Sequence, residues 1–409
     1  MTAELARFQA AVDRARAAAT ADAGRLWDVD LTDARWIGAG ADHWYLTEDP
    51  DQPGFSYRSP FWRGPKPAGS THGNTAIDWA GRRWANIALP LGGDTPPPGL
   101  DRDGATRLLL HEAWHACGQE TLFPDGLGGE PAVVGGDLLD RSAGRVWLRL
   151  EAAALSRAVA DRSERAAGAA GCFRLRRQRE ATAAEWNRER TLELGEGLPE
   201  YTAWRLTGAD RAAVSAHVRA IPIQNSLVRS FAYHTGPGYG FVLDDLAPGW
   251  QRDIPTVRDL PELLRRATTV PAIERAEAAA EEYGYSEILA EELARDRDRA
   301  DDLAATVRRF RDGPLLRIRP DQVRIDFSPQ QVRQFDFGAV YGKLAWRTED
   351  GTMLDVDGEA LVTADWNEIQ VPLDRVTDDP PTAGPGWTLV LTDRWQTTRD
   401  GRGWLITPR

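Results

Sequence analysis

Residues 107–118 read RLLLHEAWHACG and contain His111, Glu112 and His115 in the pattern H-E-x-x-H. Positions i and i+4 lie on the same face of an α-helix, so the two imidazoles can bind one cation. Zinc takes histidine ligands at about 2 Å in a tetrahedral shell, and a catalytic zinc keeps one position for water. Glu112 lies where its carboxylate can accept a proton from that water. The stretch therefore predicts a helix that carries part of a catalytic zinc site, although the pattern also fits a helix with two ordinary histidines.

The length and composition are those of a globular chain with two or three domains. The 409 residues are 42% hydrophobic and 27% charged. The formal charge of −12 argues against a nucleic-acid partner and against an anionic membrane surface. The sequence has no run of about 18 apolar residues, so it predicts no membrane span. Residues 1–20 include acidic positions and lack a continuous apolar centre, which favours a cytoplasmic location over secretion.

A second informative stretch, LELGEGLPEYTAWRLTG, covers residues 192–208. It places Glu196 and Glu200 four residues apart, so one face of a helix could carry both carboxylates. Carboxylate oxygens are zinc ligands, and a catalytic zinc site needs a third protein ligand beside the two histidines. The alternative interpretation is an exposed helix that happens to carry two glutamates.

Taken with H-E-x-x-H, the segment E-G-L-P-E-Y from Glu196 to Tyr201 resembles the gluzincin branch of the zinc metallopeptidases, the aminopeptidase-like peptidase MA superfamily. The resemblance implies one zinc ion per chain, held by His111, His115 and Glu196. It also implies that Glu200 orients one of the ligating histidines through a hydrogen bond.

The chain departs from the gluzincin pattern at two points. The gap before Glu196 is longer than in the aminopeptidases, so residues 145–194 would form a helical insertion beside the site. Pro199 stands where the family has a small helix-forming residue. Because proline is tolerated without a kink only in the first helical turn, we expect Glu196 at the very start of its helix. Glu193 and Glu200 are then the substitute ligands.

A third stretch, SFAYHTGPGYGFVLDDL at residues 230–246, resembles the Y-x-x-G segment of the same aminopeptidase-like group. Tyr233 matches its tyrosine and Gly236 its glycine. The resemblance implies that the Tyr233 hydroxyl stabilises the oxyanion formed when an amide carbonyl is attacked. His234 is adjacent and could serve instead, and Tyr239 is a weaker option. The alternative is that Tyr233 is simply a core residue.

Together these patterns predict an α+β fold, with a zincin-like catalytic domain of mixed sheet and helical lobe followed by a small antiparallel β domain. We place the N-terminal helix and mixed sheet in residues 1–104, the helical catalytic lobe in 105–313 and the β domain in 315–409. The zincin analogy puts the strand 83–89 at the upper rim of the cleft. Within the helical insertion, we expect the glycines of 168–171 to separate two helices.

The sequence thus predicts a zinc-dependent hydrolase that cleaves peptide bonds, with Glu112 as general base and a peptide or protein as the substrate partner. The same site could instead hydrolyse a non-peptide amide or ester. A third class is a non-catalytic binding protein that keeps the fold. These patterns do not distinguish exopeptidase from endopeptidase action. They also leave open the substrate, the oligomeric state and the role of the β domain.

Overall fold

A computed structural model describes residues 2–67, 70, 73–91, 102–128, 137–222, 226–268, 274–321, 323–327 and 332–409. These residues form two compact units, one within residues 1–133 and 137–292 and the other within 293–409. The ranges 1–104 and 105–313 were expected to form separate domains, but the described residues of both ranges up to Glu292 lie in one unit. Among the described residues, no helix combines the length and the apolar character needed to cross a membrane.

The first unit contains a mixed six-stranded sheet preceded by a helix. Its elements are α1 (Ala3–Asp22), β1 (Trp36–Ala39), β2 (His43–Leu46), β3 (Ser56–Arg58), β4 (Phe61–Pro65), β5 (Thr75–Trp79) and β6 (Arg82–Ala88). The strand order is β3-β4-β2-β1-β6-β5, and only β1 and β6 pair in parallel. The strand expected at the rim, β6, therefore lies inside the sheet, and its hairpin partner β5 forms the edge.

Helices make up the rest of the first unit. They are α2 (Arg102–Ala113), α3 (Gln119–Leu122), α4 (Ser142–Asp161), α5 (Glu164–Gln178), α6 (Ala183–Leu192), α7 (Leu198–Leu206), α8 (Arg211–Arg219), α9 (Phe231–Leu246), α10 (Ile254–Val257), α11 (Leu260–Ala267), α12 (Glu274–Ala280) and α13 (Tyr285–Arg311), which continues beyond residue 292. The expected break at 168–171 is wrong, because those residues lie within α5. The chain turns instead at Arg162, in the left-handed conformation, and the Ser163 hydroxyl caps α5.

The motif helix α2 is fixed by packing against the sheet. Its apolar face joins a cluster with α1 and β6 that includes Phe8, Val12, Ile87, Leu109, Leu110 and Ala113. The Trp36 indole of β1 also donates a hydrogen bond to the Leu109 carbonyl, 3.0 Å away. Each fully buried leucine or isoleucine side chain contributes roughly 1.5–3 kcal/mol to folding. This packing leaves the other face of α2 for the helical lobe.

The second unit holds a ten-stranded sheet. Its strands are β7 (Leu315–Ile318), β8 (Ile325–Phe327), β9 (Val332–Phe335), β10 (Gly338–Arg347), β11 (Met353–Thr363), β12 (Ile369–Pro372), β13 (Ala383–Gly384), β14 (Trp387–Val390), β15 (Trp395–Asp400) and β16 (Gly403–Pro408). All pairs are antiparallel except β7 with β16, a parallel pair that the expected antiparallel domain did not include. The α+β class is confirmed.

Candidate metal centre

The helix that carries the H-E-x-x-H motif changes its pitch within the motif. Residues Trp114–Gly118 form a π-helical turn that joins α2 to α3, and the flanking residues Ala113 and Gln119 keep helical backbone angles. The Trp114 ring is fully buried and lies over Gly118, where an added Cβ would come within 2.6 Å of it. The wider turn and the missing side chain at Gly118 together make room for the indole. Such π turns are frequent at functional sites.

The three expected ligands His111, His115 and Glu196 meet in space. The His111 Nε2 atom lies 3.2 Å from His115 Nε2 and 3.2 Å from Glu196 Oε2, and the third edge, from His115 Nε2 to Glu196 Oε2, is 3.6 Å. Ligand atoms about 2.0–2.1 Å from a tetrahedral zinc ion are roughly 3.4 Å apart. We call these three atoms the ligand triangle. Its edges match one face of a zinc coordination shell.

The outer nitrogen of each imidazole has a partner that faces away from the ligand triangle. His111 Nδ1 donates to Glu200 Oε2 at 3.0 Å, and His115 Nδ1 donates to Gln119 Oε1 at 2.7 Å. Because both partners are acceptors, both Nδ1 atoms carry hydrogen, so each imidazole in its neutral form offers its Nε2 lone pair to the ligand triangle. Trp204 Nε1 in turn donates to Glu200 at 2.9 Å and fixes the carboxylate. Glu200 therefore occupies the orienting position that the resemblance implied.

Gln119 was missed by the sequence analysis. A signal was present, because Gln119 follows His115 by four residues, the same spacing that joins the two motif histidines. The π turn between them does not prevent the contact.

Glu112 is a buried carboxylate beside the ligand triangle. Its side chain is only 4% exposed, and among the described residues its Oε2 atom has no hydrogen-bond partner. Burial raises the pKa of this carboxyl, while the nearby His111 and His115 oppose the rise. A buried polar atom without a protein partner costs about 1–3 kcal/mol unless a water, ion or ligand satisfies it. A buried carboxylate with a free acceptor atom in this position could accept a hydrogen bond or a proton from a bound water molecule or substrate.

Glu196 reaches the ligand triangle from a second π-helical turn. Residues Glu193–Gly197 join α6 to α7, so the helix runs on through Glu196 rather than beginning there. The expectation of a helix start at Glu196 is therefore wrong. Pro199 does lie in the first turn of α7. The π turn before it shifts the preceding carbonyls, which the proline ring would meet in a continuous α-helix.

Glu193, one of the substitute ligands, faces a different environment. Its Oε2 atom accepts from Arg174 Nη2 at 2.8 Å inside a buried cluster that also holds Glu189. Burial raises the pKa of the Glu193 carboxyl to about 8, although the Arg174 charge lowers it. The other substitute, Glu200, is committed to the outer nitrogen of His111. Glu196 thus completes the ligand triangle alone.

Tyr233 also reaches the ligand triangle. It lies in the first turn of α9, its ring stacks on His111 with centroids 5.5 Å apart, and its hydroxyl is near enough to Glu196 to lower the pKa of that carboxyl. The contact depends on two glycines, because a Cβ on Gly236 would overlap the backbone of Gly197. The glycines of E-G-L-P-E and Y-x-x-G therefore share one structural reason: they let α9 cross the π turn that carries Glu196.

The two other candidates of this stretch have structural contacts. His234 Nδ1 donates to the His217 carbonyl at 2.8 Å and its ring stacks on that of His217, 4.6 Å away. Burial and the neighbouring His217 lower the pKa of His234 to about 4. The Tyr239 hydroxyl donates to Glu151 at 2.6 Å within the buried helical lobe. Neither side chain lines the two cavities next to the ligand triangle.

Those two cavities lie on either side of Glu112. The first, of about 640 Å³, is reached by His115 and Glu196, and the second, of about 800 Å³, by His111, Glu200 and Trp204. Three residues border both cavities, namely Asn74, Glu112 and Tyr233. Glu112 and Tyr233 therefore lie where the two cavities adjoin.

The charges of the site are strongly coupled. Burial alone would lower the pKa of His111, but hydrogen bonds to Glu196 and Glu200 and their charges raise it to about 10. Burial would raise the pKa of Glu196, yet bonds from His111, His115 and Tyr233 hold it well below its ordinary range. Burial and the Glu196 charge raise the pKa of the Tyr233 hydroxyl. The acidic groups thus favour positive charge at the ligand triangle, as a proton or as a metal cation.

Comparison with protein-family models, with curated proteins and with solved structures found no match for this chain. The interpretation of the site therefore rests on its own geometry and on the residues quoted above.

Proposed function

We propose that this protein is a zinc-dependent hydrolase of peptide bonds, distantly similar to the gluzincins. The observation that carries the proposal is the ligand triangle, whose two imidazole nitrogens and one carboxylate oxygen have zinc-like spacing. Beside it lies the buried Glu112, whose Oε2 atom has no hydrogen-bond partner among the described residues. Two lone pairs 3.2 Å apart repel each other unless a cation or a proton lies between them. The donor set of two histidines and one glutamate is one that catalytic zinc uses.

His111, His115 and Glu196 would hold the ion. A zinc ion there would supply a Lewis acid that lowers the pKa of a water molecule and polarises a carbonyl. The Glu112 carboxylate accepts the proton of the attacking water and then passes it to the leaving amine. The Tyr233 hydroxyl donates a hydrogen bond to the developing oxyanion. Glu200 and Gln119 hold the two imidazoles in the tautomer that ligation needs.

One feature favours a peptide over a small amide or ester. The strand β5 is the edge of its sheet, and its residues Thr75 and Ala76 line the first cavity. An edge strand offers free backbone N–H and C=O groups that can pair with an extended peptide. The cytoplasmic location favoured by the sequence stays a prediction.

The decisive variant is Glu112→Gln, which keeps the size of the side chain and removes its basicity. We expect it to bind about one zinc per chain by metal analysis and to lose at least about 10²-fold in the digestion of labelled casein. Glu180→Gln, an exposed glutamate in the same lobe, is the matched control. Undiminished digestion by the Glu112 variant would refute the mechanism.

Two further measurements separate the alternatives. A panel of esters and non-peptide amides, run beside casein, distinguishes a peptidase from another zinc hydrolase. Zinc that persists in a His111→Ala, His115→Ala double variant would place the metal elsewhere. If the chain binds no zinc, and loss of the metal during purification has been excluded, the result would support a non-catalytic binding protein.

A further inference from the structure

Three arginines line the first cavity, on the His115 and Glu196 side of the ligand triangle. Arg83 comes from β6, Arg188 from α6, and Arg229 from the turn that precedes α9. They therefore converge on one cavity from three separate elements. In a chain with a formal charge of −12, this concentration of positive charge is a local feature that the overall composition does not explain.

Two of these arginines are held in place by acidic groups. Arg83 Nη1 lies 2.9 Å from Asp78 and 3.1 Å from Glu120. Arg188 Nη2 donates to Asp137 at 2.7 Å, and its Nε atom is buried with no hydrogen-bond partner in the part of the chain described. None of these acidic partners lines the cavity. The acidic partners therefore hold both guanidinium groups from outside the cavity lining. The Nε–H group of Arg188 has no acceptor among the described residues.

Arg229 differs from the other two. Its side chain is exposed, and within the described ranges no hydrogen bond or ion pair to it is found. A guanidinium in this position keeps all five N–H donors for a ligand, and its planar fork matches a carboxylate. The only acidic side chains lining the cavity among the described residues are Glu112 and Glu196, which belong to the proposed reaction centre.

The second cavity has a different character. Its lining includes Arg107, which stacks on Trp204 at 4.1 Å, and Glu200, together with Ala213 and Ala216 of α8 and Ala220, which follows that helix. Apart from His111 and His217, its charged side chains are one arginine, Arg107, and two glutamates, Glu112 and Glu200. The excess of arginine is thus confined to one side of Glu112.

We infer that the first cavity binds a carboxylate of the substrate, next to the bond that is cleaved, through Arg229 with Arg83 and Arg188. The inference rests on the proposed peptidase function and names its substrate class: peptides with an acidic group on the side of His115 and Glu196. The carboxylate comes either from an aspartate or glutamate side chain or from the carboxyl end of the peptide. Arginine–carboxylate pairs are short, often bidentate and about twice as strong as neutral hydrogen bonds.

The test uses the full-length, zinc-loaded Glu112→Gln variant, which holds peptides without cleaving them. Calorimetry measures the Kd of three peptides of one sequence: central glutamate with an amidated end, central glutamine with a free carboxyl end, and central glutamine with an amidated end. We expect at least one carboxylate-bearing peptide to bind about tenfold or more tightly than the neutral one. The peptide that does so identifies the source of the carboxylate.

The arginine is tested in the same background. Adding Arg229→Glu should bring the preference close to unity, whereas adding Arg179→Glu, an exposed arginine at the end of α5, should leave it unchanged. Equal affinities for all three peptides, the absence of any binding, or a preference that survives Arg229→Glu would each overturn the inference.

The two proposals fail in different ways. If the wild-type protein digests casein but shows no carboxylate preference, the peptidase stands and the arginine subsite falls. If the preference for a carboxylate depends on Arg229 but the wild type cleaves no peptide, the arginine subsite is supported and the proposed hydrolysis is refuted.

Discussion

Glu200 and Gln119 decide which nitrogen of each motif histidine is available to a metal. An imidazole that rotates freely offers either nitrogen, and a charged acceptor on Nδ1 both fixes the ring and raises the basicity of Nε2. His111 has the charged partner and His115 the neutral one. The two ligands are therefore not equivalent, and the His111 pair is the one whose loss should matter more.

We predict that Glu200→Gln weakens zinc binding by about 10- to 100-fold, because the amide oxygen still accepts the Nδ1 hydrogen but no longer carries charge. Competition with a chromophoric chelator measures the affinity. Gln119→Ala should have a smaller effect, and Glu180→Gln none. An unchanged affinity for the Glu200 variant would mean that its carboxylate does not support the ligand.

The raised pKa of His111 predicts a pH dependence of metal binding. In the metal-free fold, His111 holds a proton up to a pKa of about 10, against 6.5 in the unfolded chain. The stabilisation that this proton gives the metal-free fold is complete below 6.5 and is lost as the pH rises through about 10. Zinc must displace the proton, so its affinity should rise by roughly tenfold per pH unit between 6.5 and 8. Calorimetry in buffers of different ionisation enthalpy counts the released protons; a flat profile would contradict the shift.

At the scale of elements, the site depends on the crossing of α9 over the π turn of Glu193–Gly197. The crossing brings Tyr233 against His111 and Glu196, and it exists only because Gly197 and Gly236 touch backbone to backbone. Neither helix supplies a complete site. The positions of Tyr233 and Glu196 relative to each other are therefore set by one close contact.

We predict that Gly236→Ala destabilises the first unit by about 1–3 kcal/mol, because the new methyl group forces the two backbones apart. Zinc affinity should fall at the same time, as Glu196 moves with its turn. Gly195→Ala is the matched control, since a Cβ there meets only the Leu127 side chain at 3.3 Å. Denaturant unfolding and chelator competition provide the two readouts, and a Gly236 variant as stable as the control would disprove the packing argument.

The sequence predicted the parts of the site that depend on local geometry. The spacing of His111 and His115 defines one edge of the ligand triangle, because helical periodicity alone brings the two rings together. Glu196 followed from the E-G-L-P-E resemblance, not from periodicity. Hydrogen bonds between residues far apart in the sequence were not predicted. Arg174 binds Glu193, which is therefore not a metal ligand in this arrangement, and the His217 carbonyl accepts a hydrogen bond from His234. Both contacts join helices whose packing no local pattern specifies.

The two π turns were not predicted from the sequence for a related reason. Pro199 led us to expect Glu196 at the start of a helix, but a π turn carries the helix through Glu196 and leaves Pro199 in the first turn of α7. The alternation of polar and apolar residues located many strands of the second sheet. It could not show that β7 and β16 pair in parallel, since register and direction depend on residues about 90 positions apart.

At the scale of the whole molecule, the three candidate metal ligands all lie in the first compact unit. A ligand that binds only the folded state stabilises it by an amount that grows with the logarithm of its concentration. We predict that zinc at about 1,000 times its Kd adds about 4 kcal/mol to the first unit, and that a chelator removes it. Differential scanning calorimetry should show the shift in wild type and not in the His111→Ala, His115→Ala double variant. An equal shift in both would indicate nonspecific binding.

The two π turns also constrain how this gene can change in length. Each turn contains one residue more than an α-helical path would need, so removing a single codon from either would leave an unbroken helix. Because the wide turn absorbs that residue, the helix beyond it would keep nearly the same rotation about its axis, whereas the residues of the turn itself would change position. At residues 193–197 this would move the Glu196 carboxylate out of the ligand triangle and place Pro199 inside a continuous α-helix, where its ring would meet the preceding carbonyls. In-frame deletions should therefore accumulate in the loops of descendants and be eliminated by selection at these two places.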